Sequence, residues 1–226
     1  MVAYSEPLPA VNTGRLRVAQ GVVLLFHITG FVGLAFSKNP DFFLRFTPLT
    51  LVLTAGLLLA FQPGRGAAFW SFCITVALLG FAAEVIGVNT GRVFGHYTYG
   101  DTLGPKLLNA DPFIGVPPLI GLNWLVLTYL CGNLARYVPL PELLRTLLAA
   151  LLMVGFDACL EPVAGRYDFW QWSGGIIPMQ NFRDWFIFSC LLQTLFNRAQ
   201  FTKFNPLVPL AYLTQLLFFF LLGALH

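Results

Sequence analysis

Apolar residues run along this chain in seven long, nearly unbroken stretches at 18–36, 46–61, 67–88, 113–132, 142–163, 182–196 and 206–224. A helix that crosses a membrane needs about 20 mostly apolar residues, with a range of roughly 17–25. The second and sixth stretches are short for that, and the others fit. Continuous runs predict helices, because barrel strands would alternate apolar and polar positions and no alternation shows. The expected fold is all-α, a polytopic integral membrane helix bundle of about seven transmembrane helices. Residues 1–226 are expected to form a single transmembrane domain.

The polar positions that interrupt this pattern are few and placed on one side. Glu84 sits at the end of the third stretch, and Asp157 and Glu161 at the end of the fifth. Odd-numbered spans all end on the same face. The two longest loops, 89–112 and 164–181, lie on that face too, and spans four and six begin there with Pro117, Asn123, Trp124, Arg183 and Trp185. The opposite face has short connectors. Such one-sided crowding predicts a site in a membrane-facing cavity rather than a through-pore, which would carry polar groups at several depths.

Composition agrees with the pattern. The chain has 57% hydrophobic and 10% charged residues, against roughly 25% charged in soluble domains. A net charge of +3 without a basic stripe points away from nucleic acid. Cys73, Cys131, Cys159 and Cys190 lie in apolar runs with no CxxC pair, which predicts packing residues rather than disulfides or a zinc site. Arg15 and Arg17 precede the first apolar run, and no small-residue cleavage site follows, so a retained span is expected. Lys and Arg divide seven to six between the two faces, which barely favours a cytoplasmic N-terminus.

A carboxylate at the centre of a spanning helix costs about 2.5–3.5 kcal/mol, and less toward its ends. The three carboxylates are therefore the first place to look for chemistry. Asp157 and Glu161 are spaced i,i+4, which puts them on one helix face roughly 6 Å apart. Proximity and burial both disfavour double ionisation, so one of the pair can hold a proton as a general acid must. Pro162 is expected to turn Glu161 away from regular helix. The plain structural alternatives are ion pairs: Glu84 with Arg92, and the Asp157–Glu161 pair with Arg166 and Arg183.

Aromatic and Gly-rich segments follow each acidic position. After Glu84 come Gly87, Gly91, Gly95, His96, Tyr97 and Tyr99. After Glu161 come Tyr167, Asp168, Phe169, Trp170, Trp172, Pro178, Asn181 and Trp185. Interfacial belts account for Tyr and Trp at headgroup level. The same ring faces also stabilise cations, which beside carboxyl groups suits acid-catalysed chemistry on an alkene. The two segments echo one another faintly, as a helix–loop–helix duplication would. His27 reads as a packed histidine, His96 has no second histidine at ligand spacing, and His226 is terminal, so no metal set emerges. No phosphate-binding loop, dinucleotide fingerprint or serine nucleophile elbow is present.

These residues resemble the membrane carotenoid hydratases. Glu84-x-x-Gly87-x-x-Thr90-Gly91-x-x-Phe94-Gly95-x-Tyr97-x-Tyr99 is similar to that family's first signature. Gly115-Val116-Pro117, Trp124, Asp157-x-x-x-Glu161-Pro162-Val163-Ala164, Trp170-x-Trp172, Pro178, Asn181-Phe182 and Trp185 follow in the same order. The match runs from 84 to 186, the motif-bearing core. The family often has Asp where Glu161 stands and Gly-Val-Pro where Ile176-Ile177-Pro178 stands. Asn123 also replaces a commoner small residue. These departures bear on substrate more than on reaction type.

The resemblance implies hydration of an end-group double bond in an acyclic or monocyclic carotenoid, giving a tertiary alcohol. It implies Asp157, Glu161 and Glu84 as catalytic residues, and Tyr97, Tyr99, Trp124, Trp170, Trp172, Asn181 and Trp185 around the substrate. No cofactor is implied. A carotenoid within the bilayer and other carotenoid biosynthesis enzymes are the implied partners, in a prokaryotic plasma membrane crossed several times. Three alternatives fit parts of the pattern: a prenyltransferase holding Mg²⁺ and a prenyl diphosphate, a lycopene cyclase, and a carotenoid-binding or transport protein without catalysis.

Overall fold

Asn12 starts the first helix by accepting the Arg15 N–H on its side-chain oxygen at 3.0 Å, filling one of the donors a helix start leaves unpaired. The computed structural model describes residues 11–110 and 113–225; Pro112 and His226 lie outside them. Helix α1 is Thr13–Phe36, beginning about a turn before its apolar run because of this cap. A short α2, Pro40–Leu44, leads into α3, Thr47–Ala60, and the two read as one apolar segment, Pro40–Ala60. Then come α4, Ala67–Thr90, β1, Tyr97–Tyr99, α5, Leu119–Ala135, and α6, Glu142–Ala164. Strand β2, Trp170–Trp172, α7, Met179–Arg198, and α8, Val208–Ala224, complete the order.

The architecture is helical, with α1, Pro40–Ala60, α4 and α6 long and apolar enough to cross a membrane. Helices α5 and α8 are apolar but only 17 residues each. At 1.5 Å per residue that is about 25 Å, against a hydrocarbon core of about 30 Å. Helix α7 has 20 residues and carries Arg183, Asp184 and Arg198. Successive helices α4, α5, α6 and α7 pack side by side, and α8 packs against both α1 and α6.

The structure corrects several expectations. The fourth apolar run does not become helix at Phe113. Helix α5 begins at Leu119, after Pro117 and Pro118, while Val116 pairs with Leu107 in an isolated bridge. Proline suits a helix start but leaves the residue before it extended. The two long loops carry a short ribbon: β1 and β2 pair antiparallel, with Tyr97 opposite Trp172 and Tyr99 opposite Trp170. Pro162 does not turn Glu161 out of the helix, because α6 continues to Ala164. Proline near a helix end removes only one backbone donor, and its own φ is helical.

Buried polar groups are also not confined to one end. Gln62, Tyr129 and Asn205 meet at the far end of the bundle, where Tyr129 donates to Gln62 and Asn205 Nδ2 donates to the Tyr129 oxygen at 3.0 Å. Thr128, Ser189 and Gln193 are buried between α5 and α7. A sequence pattern that counts charges and loops does not register such uncharged groups inside helices.

Close helix crossing depends on glycine at the α4–α5 contact. A Cβ at Gly80 would lie 2.5 Å from Trp124 Cβ, and one at Gly121 2.6 Å from the Ala77 carbonyl oxygen. Backbone cannot yield as a side chain can. Gly121→Val is therefore expected to cost at least about 1–3 kcal/mol, the usual penalty of overpacking. The measurement is the melting midpoint of purified protein in detergent, and a wild-type midpoint would mean that α4 and α5 do not meet at this point.

Candidate functional site

Helix α4 ends where Gly91 takes the left-handed conformation, φ 64°, and its N–H closes on the Gly87 carbonyl at 2.7 Å. The reversal sends the chain back over the helix end and into β1. Phe94 also has a positive φ, 65°, and its N–H is held by Asp184 Oδ2 at 3.0 Å. Gln180 donates to the Gly91 and Arg92 carbonyls and to Asp184. The start of α7 thus fixes the turn that follows α4.

Strand periodicity then does the positioning. In a strand of three residues the first and third side chains share a face. In an antiparallel pair that face is shared with the directly opposite residues. Tyr97, Tyr99, Trp170 and Trp172 therefore form one aromatic surface, while Thr98 and Gln171 face the other way and are exposed. Each strand serves the carboxylate that precedes it. Tyr97 and Tyr99 hydroxyls both donate to Glu84 Oε2, the latter at 2.6 Å. Trp172 and Trp170 indole N–H groups donate to Glu161 Oε2 at 2.7 and 3.3 Å.

The helix after each strand adds a further donor. Trp124 Nε1 on α5 donates to Glu84 Oε1 at 2.8 Å. Asn181 Nδ2 on α7 reaches Glu161 Oε1 at 3.2 Å and Asp157 Oδ2 at 2.8 Å, bridging the i,i+4 pair. The faint sequence echo thus corresponds to a repeated local arrangement of helix, strand and helix around one carboxylate. Trp185 stacks on Trp124 with ring centres 4.0 Å apart, and Phe94 stacks on the same indole at 5.8 Å.

All ten singled-out residues lie together. Glu84, Tyr97, Tyr99, Trp170, Trp172, Asn181 and Trp185 line a chamber of about 20 Å³, together with Glu161, Phe94, Ile120 and Asn123. Trp124 is fully buried behind Glu84. Asp157 is fully buried too but does not line the chamber, and its Oδ1 has no hydrogen-bond partner among the described residues. Ion-pair explanations for the carboxylates give way to these neutral donors: Arg183 pairs with its neighbour Asp184 at 2.8 Å, and Arg166 lies over the Tyr167 ring. Tyr97 and Tyr99 are 5% and 6% exposed, so they are not headgroup anchors. Burial first, and then the Glu84 charge, hold both phenols well above their ordinary range. They remain O–H donors.

Sequence reasoning missed Phe94, Ile120 and Asn123 as lining residues. Phe94 stands in the signature that carries the family resemblance, but its role shows only once the backbone is known, as a bulky residue at positive φ in a Gly-rich turn. Among the described residues no Lys, Arg or His lines the chamber, and no group of three or more His, Cys, Asp or Glu is placed to hold a metal ion. Chemically, the arrangement sets carboxyl groups and aromatic faces around a space that holds about one water molecule. It can exchange a proton with a hydrocarbon and shelter the cation that results.

Comparison with known proteins agrees in kind. A family model described as "Carotenoid biosynthesis protein" matches residues 46–226. Bisanhydrobacterioruberin hydratase of Haloarcula japonica is 32% identical over 186 residues, covering 78% of this chain and 60% of that protein. The chain thus spans about 60% of the length of the curated relative it matches. No solved structure matches.

The hydrogen bonds to Glu84 make a prediction about stability. Glu84→Leu strands the Tyr97, Tyr99 and Trp124 donors, each at about 1–3 kcal/mol when left unpaired in the interior. Glu84→Gln keeps one acceptor oxygen. Melting midpoints in detergent are expected to fall in the order wild type, Glu84→Gln, Glu84→Leu. Equal midpoints for the last two would mean that Glu84 is not held as described.

Proposed function

This chain belongs to the carotenoid biosynthesis protein family, and we propose that it adds water to an end-group double bond of an acyclic or monocyclic carotenoid to give a tertiary alcohol. One observation carries this reading. Glu84 and Glu161 both wall a chamber of about 20 Å³ whose other walls are mostly aromatic. The hydratase named above supports the reaction class, since that relative shares 32% of residues over most of this chain.

The reaction needs one proton among the three carboxyl groups and one water. Glu161, on the chamber wall, gives its proton to the less substituted carbon of the double bond. A C–H bond forms as the π bond breaks, leaving a tertiary cation beside the Trp170 ring, which with Trp172 and Tyr97 walls the chamber. Water attacks the cation, forming the C–O bond, and Glu84 takes the proton that the water loses. Transfer of that proton back to Glu161 resets the site, so no redox step is required. Asp157 acts from behind Asn181, sharing that amide with Glu161 and setting its charge. Tyr99, Trp124, Trp170 and Trp185 complete the pocket.

A lycopene cyclase begins with the same protonation, but there the chain folds back so that a second double bond captures the cation. A space large enough for about one water favours capture by water. In this reading all seven helical segments cross the membrane as one unit, in a prokaryotic plasma membrane. Helix α5 is mostly buried among its neighbours, while α7 and α8 each keep outward apolar residues such as Ile187 and Leu213. The substrate reaches the site from the bilayer, supplied by other enzymes of carotenoid biosynthesis.

Two experiments test the reading. Expression in a lycopene-producing host grown in heavy-oxygen water is expected to give a product heavier by one water per modified end, carrying solvent oxygen. Cyclised or unchanged carotenoid without the label would reject hydration. In the same host Glu161→Gln is expected to lower product formation about 10²–10⁴-fold, the usual contribution of a general acid. Asp157→Asn is expected to lower it less, because Asp157 does not line the chamber. Wild-type hydration by Glu161→Gln would remove Glu161 from the role of acid.

A further inference from the structure

A second and much larger cavity, of about 430 Å³, lies beside the chamber between α1, the Pro40–Ala60 segment, α5 and α8. Its volume is in the range of small-molecule sites, roughly 300–1,000 Å³. The two spaces share three lining residues, Ile120, Asn123 and Trp170. They are therefore neighbours, with Asn123 contributing a polar side chain to their common wall.

The walls of the large cavity make little demand for a polar ligand. His27 Nδ1 is 2.8 Å from the Val23 carbonyl oxygen, Thr54 Oγ1 donates to Thr50 at 2.8 Å, and Thr50 Oγ1 donates to Phe46 at 2.9 Å. Gln215 Nε2 donates to the Ala211 carbonyl at 3.1 Å. Each of these polar side chains is thus engaged within its own helix, one turn away, and what remains facing inward is mostly hydrocarbon and aromatic. No charged residue lines the cavity among the described residues, so a diphosphate would meet no cation there. At its rim, Leu25, Phe42 and Phe46 line the cavity and are also 62%, 51% and 42% exposed. In a membrane-spanning bundle such side chains face lipid, so the opening is sideways.

We propose that this cavity is the berth for the end segment of an isoprenoid hydrocarbon, which enters laterally from the bilayer and presents its terminal double bond to the carboxyl groups at the wall formed by Ile120, Asn123 and Trp170. The inference rests on the hydration reading for the identity of the reacting end. It assigns separate places to the two reactants: the alkene arrives from the large apolar side, and the water occupies the small acidic one. It also gives α1 a role. Residues 46–226 carry the family match, and α1 lies before them, yet Gly30 and Leu34 form part of the berth wall. The fit of the end group is set in part by this segment.

The test uses the full chain, purified in detergent from a lycopene-producing host, with two readouts: carotenoid retained per protein, by absorbance, and hydrated product, by mass. Gly30→Phe and Thr54→Phe place a ring in the berth; at Gly30 even a Cβ lies 3.4 Å from the Phe218 ring. Ile28→Phe, on the lipid-facing side of α1 at 57% exposure, is the control. Retained carotenoid and product are both expected to fall about ten-fold or more in the filled variants and to stay at wild-type level in the control. Glu161→Gln is expected to keep its carotenoid while losing product. If the filled variants melt like wild type and still retain and hydrate carotenoid, the berth is elsewhere. If wild type retains carotenoid without adding water, the hydration reading fails and the berth stands.

A milder change guards against misfolding. Thr50→Cys keeps side-chain size, and its alkylation by an apolar maleimide, read by peptide mass, is expected to slow at least about ten-fold when carotenoid is bound. Equal rates with and without carotenoid would overturn the proposal.

Discussion

A carboxylate buried among apolar helices must find hydrogen-bond donors inside the protein, because neither lipid nor packed hydrocarbon supplies any. Much of the arrangement on this face follows from that requirement. Glu84 and Glu161 each take three donors, and in each case two come from a three-residue strand and one from the helix that follows. The ribbon of β1 and β2 is too short to be stable by itself. It is held because its four inward side chains are tied to α4 and α6 through the carboxylates they satisfy. The acidic residues thus organise the two loops, and the loops in turn make the acidic residues tolerable at the helix ends.

The parts of this that were legible in the sequence are those that depend on local spacing. The apolar runs located the helices, the i,i+4 step put Asp157 and Glu161 on one face, and the parity of the spans brought them to the same end as Glu84. What was not legible is long-range pairing. Tyr97-x-Tyr99 and Trp170-x-Trp172 each have the alternation of a strand, but three residues are too few to distinguish a strand from an interfacial belt. Register between segments more than 70 residues apart leaves no local mark. The choice of partner also misled. An arginine near a buried carboxylate suggests an ion pair; Arg92 and Arg166 each stand within eight residues of one in sequence, and Arg183 falls on the same face. In the fold the carboxylates are reached instead by phenol, indole and amide donors. Pro162 misled in a related way, since its effect on the backbone depends on how close the helix end is.

The use of neutral donors has a consequence that ion pairing would not. In the proposed hydration mechanism, an arginine or lysine bound to Glu84 or Glu161 would cancel its charge at the point where the cation forms. Hydroxyl, indole and amide groups hold a carboxylate in place by dipoles and leave its charge uncompensated. Among buried side chains such a charge acts through a lower effective dielectric than in bulk water, so under the proposed mechanism it would stabilise a nearby carbocation more than it would in water. The same donors fix the carboxylates before the substrate arrives, so little reorganisation is needed when charge appears. Aromatic faces add a further attraction without offering a nucleophile as strong as water. A hydration site of the proposed kind depends on what the local backbone and the strand register keep out: basic residues, bulk water and any side chain that would capture the cation first. The chamber lined by Glu84, Glu161 and their phenol and indole partners meets the first of these conditions among its described residues.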